Sequence, residues 1–487
     1  MKVAIIGAGL AGLTCAYQLS KKDLWREGTP PEISVFEAED RIGGKLRTVP
    51  FACGPTDMGA EAYLAIRKDA TDFFEELGLG DKIVYPSTRG SRIYAEGQLH
   101  DLPRRTIMGI PLDADAARGI VTDTKTLEKL EQEADAEGID WTPGEDRSLG
   151  ELVAQRFGRQ VADRLVSALL GGVYSCLADD LGIRATVPNV AEALDALAEA
   201  GEKVTLSAAV RKVKDARPAP TASPKDPRPV FASFEGGYAD MYEALAEASG
   251  AQIFIDAFIT GIARTSTGGF TLDGPGAPKG EVFDAVVVAV PAPTAALLLR
   301  DVAPQASAPL KTVELASSVV VGMKFASAEN LPDASGILIA ADEPGMHAKA
   351  FTFSSKKWPH LEKRGGALVR ASFGRYGDDA LVRAEEEELV ELALDDLEKV
   401  TRSENGPGFD GRAAGLEEIF VQRWYGGLPR YSEKHLATLA QVREGLAQEP
   451  LVAAIGAWAG GVGVPAVIAN ATAAAESIAA QLDKDTQ

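Results

Sequence analysis

Three glycines near the start of the chain carry the first chemistry that can be read from it. Gly7, Gly9 and Gly12 stand as G-x-G-x-x-G within KVAIIGAGLAG. That spacing suits a dinucleotide pyrophosphate: the first glycine permits a tight turn, the second lets backbone approach the phosphates, and the third lets a helix pack close to a strand. An acid, Glu37, follows about 25 residues past Gly12, where a carboxylate can accept hydrogen bonds from ribose hydroxyls. Directly behind it come paired glycines and basic groups, Arg41-Ile42-Gly43-Gly44-Lys45, with Thr48 after them. A further glycine loop, Asp57-Met58-Gly59-Ala60-Glu61, lies in the turn-rich piece from Phe51 to Ala62.

These groups need a scaffold, and the flanking residues supply one. Val3 to Ile6 is an apolar, β-branched run that reads as a strand, Leu13 to Ser20 is helix-compatible, and Ile33 to Phe36 reads as a second strand ending at Glu37. Strand, glycine turn, helix and strand make a βαβ unit whose helix N-terminus offers free N–H groups and partial positive charge to phosphates. A polar connector, Trp25 to Glu32, accounts for the long spacing to Glu37. At the other end, Gly460-Gly461-Val462-Gly463-Val464-Pro465 leads into a helix expected from Pro465 to about Gln481. A helix start of that kind can stabilise negative charge gathered on a reduced cofactor.

Bulk properties narrow the classes. With 487 residues the chain can form two or three domains and a large core, and 46% hydrophobic with 25% charged residues is the composition of an ordinary soluble globular protein. A net charge of −21 argues against nucleic acid and acidic membrane as partners. Three cysteines (Cys15, Cys53, Cys176) and four scattered histidines show no metal-ligand spacing, so no metal is expected, and a reducing, cytoplasmic setting is. Cys15 reads as a packed small hydrophobe. Met1 runs straight into the first strand, which is read as leaving no room for a signal peptide. Val452 to Ala475 is uncharged and long enough to span a bilayer, but its glycines, Pro465 and Asn470 make it a buried strand, turn and helix; no transmembrane segment and at most peripheral membrane contact are expected.

Further along, Ala70 to Leu79 reads as an amphipathic helix and Ser91 to Leu102 as a hairpin of a second sheet. Residues from Pro111 to Arg147 are acidic and expected to be helical, with Lys125 to Glu137 as a solvated face. Ser148 can cap a helix reaching about Arg156, and another follows from about Val161 to Leu170. Residues 213–229 read as a Pro-rich linker. Phe231 to Leu245 reads as strand, glycine turn and helix, Ala251 to Ile262 alternates as a strand would, and Asp284 to Val290 reads as a buried parallel strand. Strands at Ser317 to Phe325 and Ala367 to Phe373, a helix at Glu385 to Thr401 and a loop-like aromatic piece at Val421 to Tyr431 complete the reading.

The extended glycine fingerprint resembles that of the flavin amine oxidase and porphyrinogen oxidase superfamily, in which it holds FAD. Nearly the whole chain resembles the bacterial coproporphyrinogen III oxidase/protoporphyrinogen oxidase family. The likeness rests on the fingerprint, on Asp57 to Leu64, Met108-Gly109-Ile110-Pro111, Leu170-Gly171-Gly172-Val173-Tyr174 and Arg184-Ala185-Thr186. It continues through Thr352-Phe353-Ser354-Ser355, Lys357-Trp358-Pro359-His360, Arg423-Trp424, Leu428-Pro429, Tyr431 and Gly461 to Pro465. The chain departs from the family at Ser175-Cys176-Leu177, Ala466 and Asn470.

The resemblance implies an α/β fold (α+β overall): a Rossmann-like FAD-binding domain of the GR2 type, a mixed-sheet substrate domain and an inserted helical domain. Its boundaries would be 1–65, 232–292 and 446–487 for the first, 66–108, 177–231 and 293–445 for the second, and 109–176 for the third. FAD contacts carried across by position are Gly7, Ala8, Gly9, Leu10, Ala11, Gly12, Glu37, Ala38, Arg41, Gly44, Lys45, Gly59, Ala60, Glu61 and Ala62, with Ile259, Trp424, Val462, Gly463 and Val464. Arg67, Lys68, Tyr174 and Arg184 are substrate candidates, and Arg104 and Arg105 are further basic groups for an anionic substrate.

The implied reaction is oxygen-dependent oxidation of coproporphyrinogen III in haem biosynthesis, with flavin N5 as hydride acceptor, no assigned general base, and three two-electron cycles each giving hydrogen peroxide. The polar region 111–147 favours a four-carboxylate substrate delivered through water over the poorly soluble protoporphyrinogen. A ferrochelatase is the implied recipient of the product. The alternatives are a protoporphyrinogen oxidase or an amine oxidase, and a non-catalytic protein that binds FAD and porphyrin.

Overall fold

Val3, Ala4, Ile5 and Ile6 are apolar on both sides of the chain, which fits a strand only where both faces of its sheet are covered. In the computed structural model, which describes residues 1–26, 28–216, 229–402 and 407–485, that is where they lie. Lys2–Ile6 is the middle strand of a five-stranded parallel sheet in the order Gln252–Phe254, Glu32–Phe36, Lys2–Ile6, Ala285–Val288, Val452–Ala454. Val3 and Ile5 join an apolar cluster with Leu13, Cys15 and Ile468, whereas Ala4 and Ile6 join another with Phe36, Val286 and Leu299. Helices Leu10–Ser20 and Val464–Asp485 pack together in the first cluster, and Ala292–Leu299 and Pro304–Leu310 contribute to the second. Cys15 is fully buried and its thiol is pushed up to about 12 by burial, so it acts as packing.

This sheet belongs to the first of two compact units, Met1–Tyr85 with Pro229–Glu314 and Leu436–Gln487; the second comprises Pro86–Arg228 and Leu315–His435. Residues 66–85 and 293–314 therefore lie in the first unit, and 109–176 in the second.

The second unit is organised on a seven-stranded sheet in the order Leu416–Pro429, Leu315–Phe325, Ala367–Phe373, Ala350–Phe353, Gly336–Ile339, Ser91–Ala95, Gln98–Asp101. All its pairings are antiparallel except that of Gly336–Ile339 with Ser91–Ala95. Helix Glu386–Thr401 buries Leu389, Ala393, Leu397 and Val400 against strand residues such as Val319, Val321 and Val369. Among the helices of this unit, Leu149–Phe157 is capped by the Ser148 side chain, which accepts from Glu151 N–H. Arg159–Val161, Ala162–Val166 and Ser167–Tyr174 then run on as one helix with a wide π turn in its middle. Met108 and Gly109 both take positive φ (48° and 84°), which makes the tight turn between Thr106–Ile107 and Ile110–Pro111. A side chain at Gly109 would strike the Leu165 carbonyl at 2.6 Å, so the glycine also seats this hairpin on the π turn.

Five segments differ from the sequence reading. The first helix starts at Leu10, directly after Gly9, and not at Leu13. Region 111–147 is helical only at Ala114–Ala116 and Thr124–Gln132; Glu133, read as part of a solvated face, is buried and accepts from Leu206 and Ser207 N–H at 2.8 and 3.0 Å, capping helix Leu206–Ala216. That helix takes up Val213 to Ala216 of the expected linker, and 217–228 lie outside the described residues. Val421 to Tyr431 is not a loop: most of it continues strand Leu416–Pro429, whose bulge opposite Ala316/Ser318 hides the alternation that marks a regular strand. Ala251 to Ile262 is not one strand: Gln252–Phe254 ends before a turn at Asp256 (φ 53°), and Gly261–Arg264 begins another, paired with Phe270–Asp273.

Candidate functional site

In the first unit the glycine segments collect where parallel strands end. Gly7 follows Lys2–Ile6, Glu37 follows Glu32–Phe36, Ala289 follows Ala285–Val288, and Ile455-Gly456 follows Val452–Ala454. Open parallel sheets bind their ligands at such strand ends. Gly7 takes φ 105°, and a Cβ there would lie 2.6 Å from the Ala289 carbonyl. A Cβ on Gly12 would come within 1.9 Å of the Gly7 carbonyl, so only glycine lets the helix begin this close to the strand. Gly9 makes no such close approach: a Cβ there would meet only the Gly44 Cα, at 3.8 Å.

Two further segments wrap this turn. Gly43 N–H donates to Ala8 O at 2.8 Å, and Gly44 backs onto Gly9, where a Cβ would sit 3.0 Å from the Gly9 Cα. The Arg41 guanidinium holds this loop by donating to the carbonyls of Gly44 (2.7 Å), Ile42 (3.2 Å) and Leu46 (3.3 Å). Gly59 packs on the Lys45 carbonyl so tightly that a Cβ would lie 2.2 Å away, and Ala60, Glu61 and Ala62 continue from there. Burial pulls the Lys45 ammonium down to about 8. Glu37 is buried; its two carboxylate oxygens accept from Ala8 N–H (2.8 Å) and Glu39 N–H (2.9 Å). Ala38 beside it is exposed. Ala257 N–H donates to the Glu37 carbonyl at 2.8 Å, which brings the loop bearing buried Ile259 to the same strand end. Val462, Gly463 and Val464 form the start of helix Val464–Asp485, where Gly463 O accepts from Ala466 and Val467 N–H.

The residues carried across as cofactor contacts thus gather in the first unit, with one exception, Trp424, which lies on the second unit's edge strand opposite Ser318. The gathered residues fit FAD. Backbone N–H groups and positive helix charge at the start of Leu10–Ser20 would meet a pyrophosphate, Gly7 and Gly12 leave no room for a Cβ, and the buried Glu37 carboxylate lies past the second strand, where a ribose would reach it. Asp57, read with the glycine loop, does structural work: it accepts from Tyr238 N–H at 3.0 Å and from Thr48 Oγ1 at 2.6 Å, while Thr48 accepts from Ala239 N–H at 2.9 Å. Together they cap helix Ala239–Ser249.

The substrate candidates are dispersed. Arg67 forms a two-pronged pair with Asp69 (3.0 and 2.6 Å) at the start of helix Lys68–Glu76, and Lys68 is exposed beside it. In the second unit Arg184 donates to both Asp195 oxygens (2.7 and 2.8 Å) and to Glu145 O, so its charge is matched internally. Arg105 pairs with Asp113. Tyr174 ends its helix with its ring 5.7 Å from that of Tyr431, and burial pushes its phenol up to about 12.

One cluster beside Tyr174 was missed. Lys349, only 4% exposed, donates to Ser175 Oγ at 2.6 Å and Gly374 O at 2.8 Å. Burial, reinforced by the neighbouring Arg375, pulls its ammonium down to about 7. The one sequence signal was a lysine interrupting a small, apolar strand edge, Ala348-Lys349-Ala350-Phe351.

Comparison with known proteins agrees with this geometry. Residues 10–479 match the family described as flavin containing amine oxidoreductase. The coproporphyrinogen III oxidase of Mycobacterium tuberculosis (strain H37Rv) is 36% identical over 480 residues, covering 98% of this chain and 97% of that protein. The coproporphyrinogen III oxidase of Bacillus subtilis (strain 168) is 26% identical, with 97% and 96% covered. A crystal structure from Exiguobacterium sp. 255-15, assigned as a protoporphyrinogen oxidase, superposes with a TM-score of 0.81 at 28% identity over 98% of both chains. Cyclohexylamine oxidase from Brevibacterium oxydans shares the fold at a TM-score of 0.67 and 16% identity, covering 99% of each chain.

Proposed function

The chain belongs to the flavin containing amine oxidoreductase family, and from that premise we propose that it is an FAD-dependent, oxygen-using oxidase that converts coproporphyrinogen III to coproporphyrin III in haem biosynthesis. The observation that carries the reading is the dinucleotide cradle of the first unit, in a chain that matches a coproporphyrinogen III oxidase over 98% of its length. When bound, FAD supplies the redox chemistry, taking a hydride equivalent from the substrate and yielding two electrons to dioxygen as hydrogen peroxide. Three such cycles account for the six electrons between the hexahydro ring and the aromatic porphyrin.

The protein's own part is to bind and orient. The first-turn N–H groups of helix Leu10–Ser20 and the Gly7–Gly9 turn hold the pyrophosphate, and Glu37 accepts from the ribose hydroxyls on lone pairs left beside its bonds to Ala8 and Glu39. Arg41 fixes the Gly43-Gly44 loop from behind. The start of helix Val464–Asp485 offers partial positive charge to the flavin. Holding a methylene bridge in reach of the cofactor is then most of the task, because aromatisation drives the reaction.

We extend the reading to the division into FAD-binding, substrate and helical domains, to a ferrochelatase as recipient of the product and to a cytoplasmic location. Cys15, Cys53 and Cys176 are all unpaired, as a reducing compartment requires, and among the described residues no helix is long and apolar enough to cross a membrane.

The test mixes FAD-loaded protein with coproporphyrinogen III and, separately, protoporphyrinogen IX, first without and then with oxygen, following flavin absorbance, porphyrin fluorescence and peroxide. Bleaching and fast oxygen-dependent turnover of the four-carboxylate substrate are expected. Preference for the dicarboxylate would move the assignment to protoporphyrinogen oxidase, and flavin that neither substrate bleaches would refute a porphyrinogen oxidase.

A further inference from the structure

Within the second unit two cations are set side by side with too few acceptors. The Lys349 ammonium spends two of its N–H groups on neutral oxygens, Ser175 Oγ at 2.6 Å and Gly374 O at 2.8 Å, and among the described residues it meets no carboxylate. Arg375 acts on it as a like charge, and among the described residues the buried Nε of Arg375 has no hydrogen-bond partner. Asp378 offsets Arg375 only at a distance, without an ion pair. Cys176 cannot serve as counter-ion, because burial pushes its thiol up to about 12 and keeps it neutral. A buried guanidinium N–H without an acceptor beside a second buried cation is destabilising, and folded proteins keep such arrangements where something else completes them.

The setting is specific. Ser175 holds its hydroxyl toward Lys349 from a left-handed conformation (φ 51°), rare for a residue with a side chain, at the end of helix Ser167–Tyr174. Tyr376 N–H donates to Ser175 O at 2.7 Å, which ties the serine to the strand end that bears Arg375. The cluster is one layer from solvent: Arg375 is only partly buried, and Gly172 and Val173 of the same helix end are exposed.

We propose that Lys349 and Arg375, with the Ser175 hydroxyl between helix and sheet, form a carboxylate-binding subsite that takes one propionate of the porphyrinogen. The assignment rests on the function proposed above. A carboxylate supplies what the cluster lacks, a negative charge with lone pairs for the Arg375 Nε–H and for the third N–H of Lys349, and charge-assisted bonds of this kind are the strong ones. The site reads charge: an ionised propionate satisfies it and an esterified one does not.

The experiment measures binding of coproporphyrin III, and of its uncharged tetramethyl ester, to FAD-loaded protein, together with KM and kcat for coproporphyrinogen III. Lys349→Met and Arg375→Gln are each expected to weaken coproporphyrin III binding by about tenfold or more, to leave ester binding unchanged, and to raise KM more than they lower kcat. Lys349→Arg recovers part of the loss. Because it removes an unmatched buried charge, Lys349→Met is also expected to raise the melting temperature of the ligand-free protein. Equal losses for acid and ester, or wild-type affinity in both variants while the wild type turns the substrate over, overturn the subsite alone. A wild type that neither binds coproporphyrin III nor oxidises its porphyrinogen overturns the function and the subsite together. Arg375→Gln, at a partly buried position, repeats the comparison should Lys349→Met not fold.

Discussion

The two units solve recognition in opposite ways. In the first, the proposed cofactor cradle is made of backbone: Gly7, Gly9, Gly12, Gly44 and Gly59 contribute space, and a carboxylate and an arginine hold the loops. In the second, the charged cluster is made of side chains from three distant stretches, Ser175, Lys349 and Arg375. Backbone recognition tolerates almost no change at its glycines yet asks little of other positions. Side-chain recognition is graded, and each member can be traded for a measurable fraction of binding.

That contrast can be broken at its strongest point first. Gly12→Val places atoms where even a Cβ would come within 1.9 Å of the Gly7 carbonyl, so the variant is expected to purify without flavin, read by absorbance of the isolated protein. Glu37→Gln removes a charged acceptor that serves Ala8 and Glu39 and, on the function proposed above, the ribose. At about 1.5–3 kcal/mol for a bond to a charged group, FAD affinity should fall by roughly 10- to 100-fold, measured by flavin fluorescence quenching.

The Lys349 ammonium, pulled down to about 7 by burial against an ordinary value of 10.5, gives an effect of another kind, on stability and not on ligand binding. Between those values the unfolded chain binds more protons than the folded one, so stability rises as pH climbs from about 7 toward 10.5, and the full penalty is present below 7. Urea midpoints across that range should rise in the wild type by more than in Lys349→Met. Smallest is Asp57→Ala, which strips the cap from helix Ala239–Ser249; a loss of about 1–2 kcal/mol in urea unfolding is expected. A total loss of flavin binding in that variant would mean that the glycine loop depends on the cap as well.

The same contrast explains what could be read in advance. Gly7, Gly9, Gly12 and the strand ending at Glu37 are legible because turn, strand and helix start are local events, each with its own residue preference. The buried parallel strand from Ala285 to Val288 was legible for the same reason, as a short unbroken apolar run. Leu416–Pro429 was not, because its strand character comes from fourteen residues of pairing with a distant neighbour across a bulge, and Gly426-Gly427 look like a turn when read alone. Glu133 looked like one more surface acid in a charged run, and only the fold brings the start of helix Leu206–Ala216 down onto it. Lys349 belongs to the same class: nothing near it in the chain says that Ser175 and Arg375 will be its neighbours.

The order of the parallel strands has a consequence for how the protein is made. Lys2–Ile6 is made before its flanking strand Ala285–Val288 by the whole first stretch of the second unit, and Val452–Ala454 and helix Val464–Asp485 come later still. Until then the nascent chain carries an unpaired apolar strand edge and the first helix without its packing partner, a state that chaperones recognise and proteases cut. The cradle formed where these strands end is thereby completed only once Val464–Asp485 has been made, so a chain cut before that helix is expected to bind no flavin.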